Sequence, residues 1–341
     1  MNFRSLLKLN PRDGNALTCL VKLALINGDI PLARKYIDDL MLRESVNSAL
    51  RGRSTKVSQT HFGSLLDEFS LEVSGLARVK GFVESAPSHV ECRDLALEFP
   101  DYTPAALAAL VSMRLQGEFE RFSANSGNRI PSEIVQYWNE EPPGEIRSYM
   151  RSWQLQNVGW THTVYDEHSA HKFLREIYGD LPATAFKRAR SHAQKSDIFR
   201  LGYLAAKGGV WADADDRCLV PVGPTIAGKE LVLYQEDYGT VGNNFIACVA
   251  RHPLLLKCFT AACQAILRGD VDSVWLATGP GLLTRKLAVW LLQKHNEDWQ
   301  QQAMAILSKS QIQKTVAFHC FASYKRTDSH WCPPSAPMAQ I

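Results

Sequence analysis

The chain has 341 residues, a length that holds about two domains and buries a sizeable core. Hydrophobic residues make up 45% and charged residues 21%, which excludes a wholly disordered chain. Lys and Arg total 38 against 35 Asp and Glu, and a net charge of +3 lacks the basic excess of a dedicated nucleic-acid binder. No apolar run reaches the roughly 18 residues that span a bilayer, and MNFRSLLKLNPRDG has no signal-peptide core ahead of its charges. A cytoplasmic protein is expected, at most peripheral at the inner membrane face. The 8 cysteines form no Cys-x-x-Cys pair, so reduced thiols are expected and neither a disulfide framework nor a zinc site.

In chain order, residues 14–26 put Leu17, Leu20, Val21, Ala24 and Leu25 on one helical face. Gly28 stops that helix, and a second over 30–44 starts with Pro31 in its first turn. A related pattern returns at 98–118, where Pro100, Ala105 and Gly117 take the places of Pro11, Ala16 and Gly28. Both stretches resemble degenerate tetratricopeptide repeats, in which small residues let paired helices approach closely. This predicts an all-α domain over 1–125, either a docking platform for a protein partner or a plain helical extension.

The polar stretch 123–129 ends that texture. Strands are expected at 133–138, 161–166, 209–213, 231–235 and 244–250. Helices are expected near 144–156, 167–178, 184–207, 253–267, 281–294 and 297–308. Such alternation predicts an α/β domain with a mostly parallel sheet over 126–332, followed by a flexible tail over 333–341. Residues 1–125 carry 15 basic and 15 acidic residues, so the whole +3 belongs to 126–341 and suits an anionic ligand.

The densest chemistry lies in KSDIFRLGYLAAKGGVWADADD, residues 195–216. Asp197 and Arg200 stand three apart on a helix and share a face. Taken alone they make a surface ion pair of little worth. Gly208-Gly209 then turns the chain into the apolar strand Val210-Trp211-Ala212, which ends in Asp213-Ala214-Asp215-Asp216. Strand alternation predicts Asp213 and Asp215 on one side and Asp216 facing away. Hard carboxylates at the carboxyl end of a sheet strand suit Mg²⁺ or Mn²⁺ and a phosphorylated substrate.

These residues resemble glycosyltransferase family 32, the DXD sugar-binding enzymes that include yeast initiating mannosyltransferases and bacterial capsule enzymes. The glucosylating domains of clostridial toxins are more distant relatives. The family pattern of Ser-Asp-x-x-Arg, Gly-Gly-aliphatic-aromatic and Asp-x-Asp is met at every position. Ile130-Pro131 with Gln136-Tyr137-Trp138 matches the family's opening strand, except that Val135 replaces a His. Asn243-Asn244, Thr278-Gly279-Pro280 and His330-Trp331 match later segments, so the resemblance covers about 130–332.

The resemblance implies a GT-A-type fold and a metal-dependent transfer of a hexose from a nucleotide sugar, with anomeric configuration retained. UDP-sugars are favoured over GDP-mannose, and the acceptor is a glycan, a lipid-linked sugar or a protein. Asp213 would touch the donor, and Asp215 would ligate Mn²⁺ or Mg²⁺ with help from Asp213 and His330. Asp197 and Arg200 would hold sugar hydroxyls, Trp138 would lie against the base, and Asn243 or Asn244 would bond the sugar. Gly279 would offer backbone N–H groups to phosphate. His330 and Trp331 would close over the donor, with Lys325, Arg326 and Asp328 nearby, while His162, His168 and His171 are expected at the surface or helix edges. Two other functions fit parts of the pattern: a metal-dependent phosphohydrolase of the haloacid dehalogenase type, and a non-catalytic helical scaffold with a vestigial sugar-nucleotide domain.

Overall fold

The computed structural model describes residues 14–26, 29–50, 72–84, 87–122, 127, 129–237, 239–269, 274–294, 303–318 and 320–323. His330, Trp331, Lys325, Arg326, Asp328 and the 333–341 tail lie outside the described residues, as do Pro11 and Gly28. Two compact units divide the chain between Ser112 and Met113.

The first unit is helical throughout its described part: α1 (Gly14–Ile26), α2 (Ile30–Leu50), α3 (Val73–Glu84), α4 (His89–Glu98) and most of α5 (Thr103–Leu115). The stripe read from the sequence is the one that is buried. Leu17, Val21 and Leu25 of α1 are at most 2% exposed, and Ala33 and Ile37 of α2 are as deep. Helix α4 opens with a capping box, in which Ser88 accepts from the Glu91 N–H and Glu91 accepts from the Ser88 N–H. Ala105 and Ala109 on α5 are fully buried, and Gly75 lies against the Tyr102 ring where a Cβ would meet carbon at 2.9 Å.

The second unit is a six-stranded sheet flanked by helices. It runs β1 (Glu133–Tyr137), α6 (Gly144–Gln156), β2 (Thr161–Tyr165), α7 (Glu167–Tyr178), α8 (Asp180–Arg188), α9 (His192–Lys207) and β3 (Gly209–Ala212). It continues with β4 (Arg217–Cys218), β5 (Leu231–Gln235), β6 (Val241–Cys248), α10 (Pro253–Arg268), α11 (Pro280–Lys294), β7 (Met304–Ser308) and β8 (Val316–Ala317). The strand order is β2-β1-β3-β6-β5-β7, and β4 pairs with β8 separately. Strand β1 pairs parallel with β2 and β3, and β5 pairs parallel with β7, whereas β6 runs antiparallel to both its neighbours. The sheet is therefore mixed and largely parallel, which is consistent with a GT-A-like architecture, and it follows the all-α region in chain order.

Two local expectations change. The helix expected over 184–207 breaks at Ala189–Ser191, where Ser191 caps a new helix by accepting from the Gln194 N–H. The described end of the helix expected over 297–308 is strand β7, which adds to the edge of β5 with Leu231 opposite Met304. A short apolar run suits either state, and pairing with an open sheet edge decides it. Arg114, in α5, ties the chain to that edge: it donates to the Ile306 carbonyl at 2.7 Å and to Gln235 Oε1 at 3.0 Å.

Candidate active site

Helix α9 delivers its side chains to the carboxyl end of β3 because Gly208 and Gly209 reverse the chain at positive φ, +70° and +104°. A Cβ on Gly208 would stand 2.5 Å from the Ala250 nitrogen, so the helix packs closer to β6 than any side chain permits. Asp197 and Arg200 then lie in the interior, not at the surface, with 8% and 3% of their side chains exposed. Arg200 Nη1 reaches Asp197 Oδ1 at 3.1 Å, and Nη2 reaches Asp213 Oδ1 at 2.6 Å. The guanidinium also sits 5.0 Å from the Trp211 ring centroid, a cation–π contact. Its Nε is buried and has no hydrogen-bond partner among the described residues.

Asp197 collects the other side of the site. Asn243 Nδ2 donates to its Oδ1 at 2.9 Å, and Thr278 Oγ1 donates to its Oδ2 at 2.9 Å. Burial pushes this carboxyl up to about 6, against the opposing pull of Arg200, Thr278 and Asn243. A carboxylate holding three donors is an organiser: it fixes Arg200, Asn243 and Thr278 relative to one another, with little left to grip a sugar directly.

Strand β3 ends at Ala212, one residue earlier than expected. Asp213–Asp216 form a turn closed by the Asp216 N–H on the Asp213 carbonyl at 3.1 Å, so strand alternation does not set the directions of these carboxylates. Asp213 is pinned from several sides. Its N–H donates to the Asn244 carbonyl at 2.9 Å, its own carbonyl accepts from Gln136 Nε2 at 3.2 Å, and Trp211 Nε1 joins Arg200 at Oδ1. Asp215 is half-buried at the crest of the turn. Asp216 is 1% exposed and belongs to the core, where its Oδ2 accepts from Asn244 Nδ2 at 2.6 Å.

The two asparagines divide accordingly. Both lie within strand β6, not in a turn. Asn243 is half-buried beside Asp197, whereas Asn244 is spent on Asp216 and on the Tyr234 hydroxyl, which donates to its Oδ1. Gly279 does not match its expected role. Its N–H donates to the Val274 carbonyl at 3.0 Å and Pro280 has none, so this helix start offers no N–H from either residue to a phosphate. What that segment sends to the site is Thr278.

Trp138 follows the last residue of β1 and is half-buried. It packs on a cluster that contains Met150 and Ala214 of the carboxylate turn. It also lines a cleft of about 450 Å³ with Met150, Val164, Asp166 and Ser169. An aromatic wall beside the turn is the kind of surface on which a base stacks.

A hydrogen-bonded chain behind the turn was not anticipated. His162 Nε2 lies 2.7 Å from Gln136 Oε1, and Gln136 passes the chain on to the Asp213 carbonyl. Burial lowers the His162 pKa and favours neutral imidazole, so His162 is a part-buried brace and not a surface residue. The signal was present in β1: Gln136 is a polar residue inside an apolar run, fully buried, and such groups require partners.

Residues 143–232 match the protein family described as "Glycosyltransferase sugar-binding region containing DXD motif", a span that includes Asp197, Arg200, Asp213 and Asp215. The likeness is to glycosyltransferases. The chain is 25% identical over 152 residues to the initiation-specific alpha-1,6-mannosyltransferase of Candida albicans, covering 42% of this chain and 39% of that protein. It is 26% identical over 129 residues to the mannosyl phosphorylinositol ceramide synthase of Saccharomyces cerevisiae, covering 38% of this chain and 33% of that one. The matches thus span well under half the length of these relatives. A solved structure titled "PaToxG Glycosyltransferase" aligns with 71% of this chain and 94% of its own at 16% identity, with a TM-score of 0.43.

Proposed function

We propose that this protein is a metal-dependent glycosyltransferase that moves a hexose from a nucleotide sugar to a glycan, lipid-linked or protein acceptor. The observation that carries the reading is Arg200, which joins Asp197 of the helix to Asp213 of the turn in one buried constellation beside the Trp138 cleft. In this reading the base lies against Trp138, and Asn243 meets the sugar from its place on Asp197. Arg200 holds Asp213 in register, and its guanidinium offsets the charge of the two carboxylates that it joins.

The donor set fits a hard divalent cation in one particular way. Among the described residues no three His, Cys, Asp or Glu side chains gather to hold a metal ion. With Asp216 buried against Asn244, Asp213 and Asp215 are the turn's carboxylates that would face a ligand, which suits Mg²⁺ or Mn²⁺ that takes its remaining ligands from a diphosphate and water. Such a cation neutralises charge on a departing diphosphate. Asp215 is the principal ligand, because Asp213 Oδ1 already accepts from Arg200 and Trp211. Those two bonds also weigh against the phosphohydrolase reading, since they draw charge from the carboxylate that would attack phosphorus. Retention without a side-chain nucleophile would need same-face substitution, in which the leaving diphosphate helps deprotonate the acceptor hydroxyl. The helical region would serve as a docking platform for a partner.

The test is donor hydrolysis with Mn²⁺, using UDP-glucose and GDP-mannose among a panel of nucleotide sugars, with a melting-temperature shift as the binding readout. One donor should be hydrolysed, and EDTA should stop it. If no nucleotide sugar is hydrolysed or shifts the melting temperature, this reading is wrong.

A further inference from the structure

The last turn of α8, the short link after it and the first turn of α9 carry a run of cations that the constellation does not use. From Leu181 through Ser196 the chain has no acidic residue, yet it holds Lys187, Arg188, Arg190, His192 and Lys195. Lys195 is committed to Glu167, with Nζ 2.5 Å from its Oε1. Lys187, Arg188, Arg190 and His192 are exposed, and none forms an ion pair among the described residues. Their field reaches the neighbouring helix: the pKa of His171 on α7 is lowered by burial and then by Lys187, Arg175 and His168.

The segment also sits at the working end of the unit. Arg200 on α9 touches Asp213 beyond the far end of β3, so α9 packs antiparallel to that strand and its first turn lies at the carboxyl end of the sheet. The Lys195–Glu167 bridge places that turn beside the start of α7, one residue from Asp166, which lines the Trp138 cleft. The rim of the cleft itself carries Glu140, Glu141 and Asp166. Glu141 is paired with Arg147 at 2.7 Å, whereas the cations of the 187–192 side have no carboxylate partner among the described residues and are the ones open to an anion. Two arginine forks and a lysine in four residues present the donors that a phosphate accepts.

We propose that Lys187, Arg188, Arg190 and His192 form a docking site for a phosphate ester carried by the acceptor, beside the donor cleft. This deepens the glycosyltransferase reading and rests on it for the word acceptor; the phosphate site itself does not.

The experiment compares the full-length wild type with the triple reversal Lys187→Glu, Arg188→Glu, Arg190→Glu, whose side chains face solvent. Titration calorimetry at low salt sets glucose 6-phosphate against glucose, and co-sedimentation sets vesicles of phosphatidylcholine with phosphatidylglycerol against phosphatidylcholine alone. The wild type should prefer at least one phosphate-bearing probe by roughly tenfold, and the reversal should erase that preference with donor hydrolysis unchanged. Binding of glucose 6-phosphate assigns the site to a soluble phosphate ester, and binding confined to charged vesicles assigns it to a lipid headgroup. No preference in the wild type, or one that survives reversal, overturns the proposal. Loss of donor hydrolysis in the reversal overturns it as well, because the cations would then serve the donor. If the preference is present and charge-dependent but neither protein hydrolyses any nucleotide sugar, the phosphate site stands and the glycosyltransferase reading falls.

Discussion

Arg200 is the residue on which most of the site depends, and its two ends predict different losses. Arg200→Ala leaves Asp197 buried without its counter-charge, so stability should fall by about 3–5 kcal/mol in urea unfolding. Arg200→Lys keeps the charge but cannot fork between Asp197 and Asp213, so it should fold yet hydrolyse donor at least tenfold more slowly, about 1.4 kcal/mol. Asp215→Asn should behave oppositely: an unchanged melting temperature, no hydrolysis, and no rescue by Mn²⁺. The pH dependence follows from Asp197. Its folded pKa of about 6 lies above the ordinary 3.8, so folding favours the protonated form. Its contribution to stability is complete below about pH 4 and is lost as pH rises through 6. Activity runs the other way, because the carboxylate is the form that best holds Arg200 and Asn243. Donor hydrolysis should show an acid limb near pH 6, and Asp197→Asn should be slow at every pH with no such limb. A wild-type rate that is flat from pH 5 to 8 would contradict this.

At the scale of elements, much was legible because the signals were local. The α1 stripe, the Gly-Gly reversal and the β1 and β2 boundaries follow from periodicity and from backbone conformations only glycine takes easily. Gly208→Ala should therefore cost about 1–3 kcal/mol in unfolding by denaturant, because neither the backbone angle nor the approach to Ala250 can be kept. What sequence reading missed are pairings across distance. The burial of Asp197–Arg200 and the strand state of Met304–Ser308 are decided by partners far away in the chain. The His162–Gln136–Asp213 chain belongs to this class, since it needs β1 and β2 in register to exist. Gln136→Leu should strand both His162 and the Asp213 carbonyl, costing about 1–3 kcal/mol and weakening the melting shift given by a nucleotide sugar. A shift equal to wild type would show that the turn holds itself.

At the scale of the whole molecule, the division between Ser112 and Met113 changes where the helical region can be removed. A cut near Ser126, the boundary suggested by composition, discards Arg114 together with its bonds to Gln235 and to the Ile306 and Leu307 carbonyls at the β7 edge. It also discards Phe119, over which the Arg114 guanidinium sits at 4.6 Å from the ring centroid. Loss of Arg114 leaves two carbonyls of the edge strand β7 and a buried Gln235 short of a donor, each worth about 1–3 kcal/mol when unsatisfied. A chain that begins at Thr103 keeps α5 whole and all of these contacts. It should fold cooperatively and hydrolyse donor at the full-length rate, whereas a chain that begins at Ser126 should melt lower or aggregate. If the helices before Thr103 dock the acceptor's carrier, the Thr103 chain will hydrolyse donor normally and fail only in transfer to the natural acceptor. Equal melting temperatures for the two truncations would remove the role assigned to Arg114, and full transfer by the Thr103 chain would remove the docking role of the helices.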